Sequence, residues 1–208
     1  MKFRKLCVVK ESIFSSVYDG VTLEDDKGYQ IEIPKRQMEI LNFLTSKSNC
    51  YVAGGVFKDI LNGKTPRDYD LYFDSDTDYR VTLNSFIKNG DEALYENQNC
   101  IAFRVRVPNN DPELMGSFIQ VELIKLKKEH NTIEKNLNHF DFSICKIYYR
   151  WGCVYAAEGA LEDLQKKEIV IKNWSNPLGT INRVVKYTNY GFKLSNFQFL
   201  KLWFHLSI

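Results

Sequence analysis

The chain has 208 residues and a mass of 24.4 kDa, room for one ordinary domain with a small helical appendage and too little for a large multidomain machine. With 44% hydrophobic, 14% aromatic and 26% charged residues, and only 11 Gly and 5 Pro, it can bury a core, which excludes the disordered and fibrous classes. Lys and Arg number 28 against 26 Asp and Glu, and a net charge of +2 is too near neutral to betray a nucleic-acid binder by bulk electrostatics alone; any anion site must be local.

Val8-Val9 and Tyr29 to Ile33 read as short strands, with the acidic turn Glu24 to Gly28 between them, so the spacing predicts an N-terminal hairpin. Pro34 suits a first helical position, and Met38, Leu41 and Leu44/Thr45 then recur at helical spacing until Ser46-Lys47-Ser48-Asn49 breaks the pattern. Tyr51 to Ala53 reads as a buried strand, Gly54-Gly55 as a tight turn, Val56 to Leu61 as a short helix and Tyr69 to Phe73 as another strand. A helix is expected over Tyr79 to Lys88. Ile101 to Val107 and Phe118 to Leu126 alternate like paired strands joined by the loop Pro108 to Pro112. A polar helix near Ile133 to Leu137 precedes a hairpin of Phe142 to Tyr149 with Val154 to Ala156, closed by Trp151-Gly152. From Thr180 onwards the chain is helical in character, and Phe197 to Ile208 reads as a helix packed on the domain or on a partner. The mixture is that of an α+β fold, without internal repeats or low-complexity tracts.

The five cysteines, Cys7, Cys50, Cys100, Cys145 and Cys153, are odd in number, scattered and never in a C-x-x-C pair, which points to reduced core thiols and to no zinc knuckle. No signal peptide is seen, and nowhere do about 18 apolar residues follow one another; the expected location is the cytoplasm, with no membrane partner.

Asp68 and Asp70 stand two apart at the start of a predicted strand, so their side chains share one face of the sheet. Glu122 lies between Val121 and Leu123, and alternation turns it to the face opposite those apolar neighbours. If the two strands are neighbours, a carboxylate triad results. Charges about 4 Å apart repel by roughly 4 kcal/mol per pair at an effective dielectric of about 20, so the arrangement calls for cations, and magnesium is the natural hard, oxygen-seeking occupant. The Gly54-Gly55 turn lets backbone amides approach a ligand closely, where a triphosphate would rest. Metal carboxylates facing a phosphate cradle are what phosphoryl or nucleotidyl transfer requires, and no P-loop pattern occurs. Each residue has a plainer reading too: Asp-x-Asp pairs are common in turns, Glu122 could be a solvated strand residue and the glycines a simple strand-to-helix turn.

Ala53-Gly54-Gly55-Val56-Phe57-Lys58-Asp59-Ile60-Leu61-Asn62-Gly63, followed by Arg67-Asp68-Tyr69-Asp70-Leu71, resembles the head domain of class II tRNA nucleotidyltransferases (CCA-adding enzymes) and bacterial poly(A) polymerases, within the polymerase-β-like superfamily. Asp141-Phe142-Ser143-Ile144-Cys145 is similar to that family's Arg-Arg-Asp-Phe-Thr-x-Asn motif, with His139 and Phe140 in place of both arginines and Cys145 in place of asparagine. Gly159 to Leu164 looks like the hairpin that follows, and Arg183 to Tyr187 with Gly191-Phe192 looks like the neck helix of short phage-type members. The resemblance covers about Tyr51 to Phe192. Lys58 stands where the family has arginine, and the family's base-reading Glu-Asp-x-x-Arg motif is not recognisable.

The resemblance implies a nucleotidyltransferase head with a mixed or antiparallel sheet flanked by helices over residues 1–175, and a short helical neck over 176–208. It implies a magnesium-dependent enzyme that moves NMP from an NTP to an acceptor hydroxyl, an RNA or tRNA 3′ end, and releases pyrophosphate. Asp68, Asp70 and Glu122 would hold two Mg²⁺ ions; Gly54, Gly55, Lys58, Asp141, Arg183 and Lys186 would contact the nucleotide. Two alternatives stay open: a minimal nucleotidyltransferase that modifies a protein or small molecule, and a decayed fold that only binds nucleotide or RNA. Asp141 has a local hydrogen-bonding role as its other reading. On the tail helix Arg183, Lys186, Tyr187 and Tyr190 share one face, suited to nucleic acid or simply solvated, while Ile181, Val184, Val185 and Thr188 are expected to pack on the core. Lys125, Lys127, Lys128 and His130 read as an exposed strand end, with RNA contact as the alternative.

Overall fold

The computed structural model describes residues 3–12, 20–46, 48–107, 118–125 and 132–206. In chain order come β1 (Phe3–Lys5), β2 (Cys7–Ser12), β3 (Gly20–Glu24), β4 (Gln30–Pro34), α1 (Lys35–Ser46), β5 (Cys50–Ala53), α2 (Val56–Leu61), β6 (Asp68–Phe73), α3 (Asp76–Lys88), β7 (Glu92–Glu96), β8 (Cys100–Arg106), β9 (Phe118–Ile124) and α4 (Ile133–Asn138). A 3-10 turn (Ser143–Cys145) leads to β10 (Ile147–Arg150), β11 (Cys153–Ala157), α5 (Ala160–Gln165), β12 (Glu168–Ile169), α6 (Pro177–Thr188), β13 (Lys193–Leu194) and α7 (Asn196–Leu206).

Eight strands form one mixed sheet in the order β1-β11-β10-β5-β6-β9-β8-β7, in which β6 and β9 run parallel and the other neighbours antiparallel. This is the α+β architecture expected. Along β6, Tyr69, Leu71 and Phe73 are buried while Asp68, Asp70 and Tyr72 alternate to the other face; along β9, Val121 and Leu123 are buried between Gln120, Glu122 and Ile124. The buried set meets Ile40, Leu41 and Leu44 of α1, Phe57 and Ile60 of α2 and Tyr79 of α3 in the main core. On the opposite face a smaller cluster of Tyr51, Ala53, Leu137 and Tyr148 seats α4 over the β5 and β10 half. No helix among the described residues is long and apolar enough to cross a membrane.

The N-terminal strands differ from expectation. The acidic turn joins β3 to β4, and β2 pairs with the far side of β3, giving three strands rather than a two-stranded hairpin. Pro34 ends β4 opposite Gly20 instead of opening the helix, since its ladder partner holds it extended. The Trp151-Gly152 turn is as expected: both residues have positive φ (51° and 76°), the twist that a two-residue hairpin between β10 and β11 demands. The strand starts only at Ile147, because residues 143–145 coil into the 3-10 turn. All five cysteines are free, but only Cys50, Cys100 and Cys145 are buried; Cys153 is half-buried and Cys7 exposed, so the expectation of core thiols holds for three. The Pro108 to Pro112 loop, Lys127, Lys128 and His130 lie outside the described residues, and Lys125 pairs with Glu96 at 2.6 Å.

On α6 the faces are reversed in part. Thr180, Val184 and Tyr187 are buried, whereas Val185 and Thr188 face solvent. Tyr187 turns inward because Phe142 offers it an edge-on ring at 5.2 Å and the Cys145 thiol lies 3.4 Å from its hydroxyl.

Candidate active site

The register of the parallel pair sets Asp70 directly beside Glu122 and Asp68 beside Gln120, so the three predicted carboxylates lie on one face of two adjacent strands. Antiparallel pairing sets Ala53 beside Asp70 and delivers Gly54 to the same spot. Gly54 has φ +95°, and a Cβ there would lie 3.2 Å from Asp70 Oδ2 and 3.9 Å from the Phe140 ring, so glycine is required both by conformation and by the closeness of the carboxylate. Gly55 has ordinary helical dihedrals and nothing within 4 Å of where its Cβ would stand, which leaves open space above the turn.

Burial, and then the charges of Glu122 and Asp68, push the Asp70 carboxyl up to about 8, against the opposing pull of Arg67 and Lys186. The two outer carboxylates are turned aside to partners. Asp68 takes a two-pronged contact from Arg67, Nε at 2.9 Å and a terminal nitrogen at 2.7 Å from Oδ2, and the pairing raises the Arg67 pKa. Glu122 Oε1 accepts from the Tyr95 hydroxyl and from Gln120 Nε2 at 3.0 Å, while the Cys100 thiol lies 3.5 Å from Oε2. Tyr95 sits on β7, a strand the sequence did not announce because all five of its residues are exposed; only the alternation of Ala93 and Tyr95 hints at it.

In these rotamers no group of three or more His, Cys, Asp or Glu among the described residues closes into a cage around an ion. The donor set nonetheless fits magnesium: three carboxylates on one sheet face, the central one starved of countercharge, and Gly55 leaving room for a phosphate. Asp68 would exchange Arg67 for the ion.

The structure does not gather all the residues expected at the nucleotide. Lys58 is 1% exposed; its ammonium pairs with Asp59 and lies 4.5 Å from the Tyr190 ring centre and 5.1 Å from that of Tyr187. Asp141, 7% exposed, accepts from Thr180 Oγ1 at 2.8 Å and from Arg183, whose Nε is 2.9 Å away. These residues tie the α6 region to α2 and to the segment that precedes the 3-10 turn. Lys186 is exposed and close enough to influence Asp70. Lys146, which sequence reasoning passed over, is buried with its ammonium 3.2 Å from the Asn138 carbonyl, and burial and the Lys172 charge lower its pKa to about 8.

The fold, a large mixed sheet flanked by helices, is similar to the nucleotidyltransferase head of CCA-adding enzymes. The chain is similar to a tRNA-processing enzyme in its apo form I (TM-score 0.59, 19% identity, 83% of this chain and 47% of that one). It is also similar to a Thermotoga maritima CCA-adding enzyme complexed with tRNA (0.58, 14%, 83% and 42%). A third is a tRNA nucleotidyltransferase complexed with a primer tRNA and an incoming ATP analog (0.56, 18%, 82% and 50%). The chain thus spans about half the length of these enzymes. No curated protein matches it. The sequence profile of the Gabija anti-defense 2 family matches residues 10–167, and the chain belongs to that family.

Proposed function

We propose that the protein is a magnesium-dependent nucleotidyltransferase that moves NMP from an NTP to the 3′ hydroxyl of an RNA and releases pyrophosphate. The observation that carries this reading is the register that lines Asp68, Asp70 and Glu122 along one face beside Gly54. Two magnesium ions, when bound, would neutralise phosphate charge and favour ionisation of the attacking hydroxyl. Asp68 and Asp70 would hold them, with Glu122 completing the set on the acceptor side. The Gly54-Gly55 turn and Lys186 would receive the triphosphate. Lys58, Asp141 and Arg183 act indirectly, fixing α6 next to that turn. The RNA acceptor is supported by the neighbour that binds a primer tRNA with an ATP analog.

A second reading places the NMP on a protein or small molecule. It is favoured by the internal pairing of Lys58 and Arg183, which leaves few free cations around α6 for a polyanion, and by membership of a family described as acting against a defence system. Incubation of the protein with each labelled NTP and Mg²⁺, with total RNA and total protein in separate reactions, tests both. RNA labelled at its 3′ end, with D68N and E122Q slower by about a hundredfold or more, is the expected result. Label on protein would establish the second reading for a protein acceptor, and no label on either would leave a small-molecule acceptor or a binding module.

A further inference from the structure

Beyond the carboxylates, the same sheet face continues toward the start of β9. Antiparallel register sets Ala102 beside Glu122, Arg104 beside Gln120 and Arg106 beside Phe118, while Phe103 and Val105 point into the core. Arg104, Arg106 and Phe118 therefore stand on the carboxylate face, and all three are exposed. Phe118 keeps 51% of its surface open, and the Arg104 guanidinium lies 4.5 Å from its ring centre. Arg67, its side chain 80% exposed, stands just before β6 and pairs with Asp68 on this face. Glu92, 3.6 Å from Arg104, is the acid that faces it from β7.

We infer that this strip is the track for the acceptor, a single-stranded RNA whose 3′ end lies at Glu122 and whose preceding bases stack on Phe118. The inference rests on the proposed transfer to RNA. A stacking platform beside guanidiniums is the pairing that single-stranded nucleic acid uses, the ring taking any base and the cations tracking phosphates. At about 3.3 Å per residue, Phe118 lies roughly 13 Å along the strand from Glu122, within reach of the last few nucleotides. The track also answers a problem set by α6: the face expected to grip nucleic acid there is spent on Tyr187 in the core and Arg183 on Asp141. The acceptor is held by the sheet instead.

The test is fluorescence anisotropy with a 5′-labelled single-stranded RNA, without NTP, on the intact protein. F118L, which keeps an apolar side chain but removes the ring, should weaken binding about tenfold. R104Q/R106Q should weaken it similarly and lower the slope of log affinity against log salt by about 1.4, since each phosphate contact to a single strand adds about 0.7. All three side chains are exposed, so melting temperatures matching wild type separate lost contacts from lost fold. RNA affinity and salt slope unchanged in both variants would overturn the track, as would binding of protein but not RNA. NMP transfer to a dinucleotide by the wild-type protein reports separately on the chemistry. If that transfer occurs while the variants bind RNA normally, the track fails and the proposed function stands. If no acceptor is ever labelled, both fail.

Discussion

Replacing Asp70 with asparagine should stabilise the metal-free protein at pH 8 while ending transfer. Burial and two neighbouring carboxylates hold the Asp70 carboxyl up at about 8, against 3.8 for the free group. The native state therefore keeps a proton that the unfolded chain has already lost, and stability falls as pH rises from about 4 through about 8. At most about 1.4 kcal/mol is lost per pH unit, or roughly 6 kcal/mol over the full interval. Asp70 is only half-buried, and solvent reaching it trims the loss to about 3 kcal/mol. About two thirds of that loss falls between pH 5 and pH 8, which in a chain of this size corresponds to a melting temperature lower by roughly 4–8 °C at pH 8 than at pH 5. D70N, neutral throughout, should flatten that dependence and melt higher than wild type at pH 8. The assay is thermal unfolding in EDTA across pH 5 to 8, on both proteins. Parallel curves, with the same pH dependence for each, would refute the argument that the site stores unfavourable charge.

Lys58→Met should lower stability by about 1–3 kcal/mol by removing the buried ammonium that pairs with the half-buried Asp59, with the KM for NTP little changed; a large KM effect at wild-type melting temperature would put Lys58 at the nucleotide. Arg183→Ala should cost about 2 kcal/mol by leaving Asp141 buried without its cation, and adding Asp141→Asn should recover much of it, a coupling that a double-mutant cycle in urea measures. Gly54→Ala should destabilise by about 1–2 kcal/mol, because it forces φ +95° on an L residue and pushes a methyl toward Asp70; chemical denaturation with an unchanged midpoint would show that the turn relaxes freely.

The carboxylate face was legible because β6 alternates throughout and β9 alternates from Gln120 to Ile124, and alternation alone assigns a side chain to a face. That the two strands are neighbours was not legible: it depends on a long-range parallel pairing which local pattern does not encode. The family resemblance stood in for that information. The strand β7 and the Tyr95 partner of Glu122 escaped notice because an exposed edge strand has no buried face to print a pattern on. On α6 the helical spacing was correct but the inward face was misassigned. Tyr187 and Val185 are both plausible core residues by type, and the choice is made by Phe142 and Cys145, more than 40 positions earlier in the chain. Lys58 and Arg183 show the same limit for charge, since a cation that a motif would lend to a nucleotide can be claimed by an acid that only the fold brings close.

The parallel contact of β6 with β9, the only one in the large sheet among the described residues, bears on how the protein assembles. Asp70 and Glu122 are about 50 residues apart in sequence, and nothing joins them until α3, β7 and β8 have been laid down between. Closing so long a loop is slow, and the step brings like charges together. The two halves of the acidic face are therefore expected to meet late, after the β7–β8 hairpin has formed against β9. A divalent cation present during refolding would act on that step, so its effect should show in the folding rate as well as in the unfolding rate.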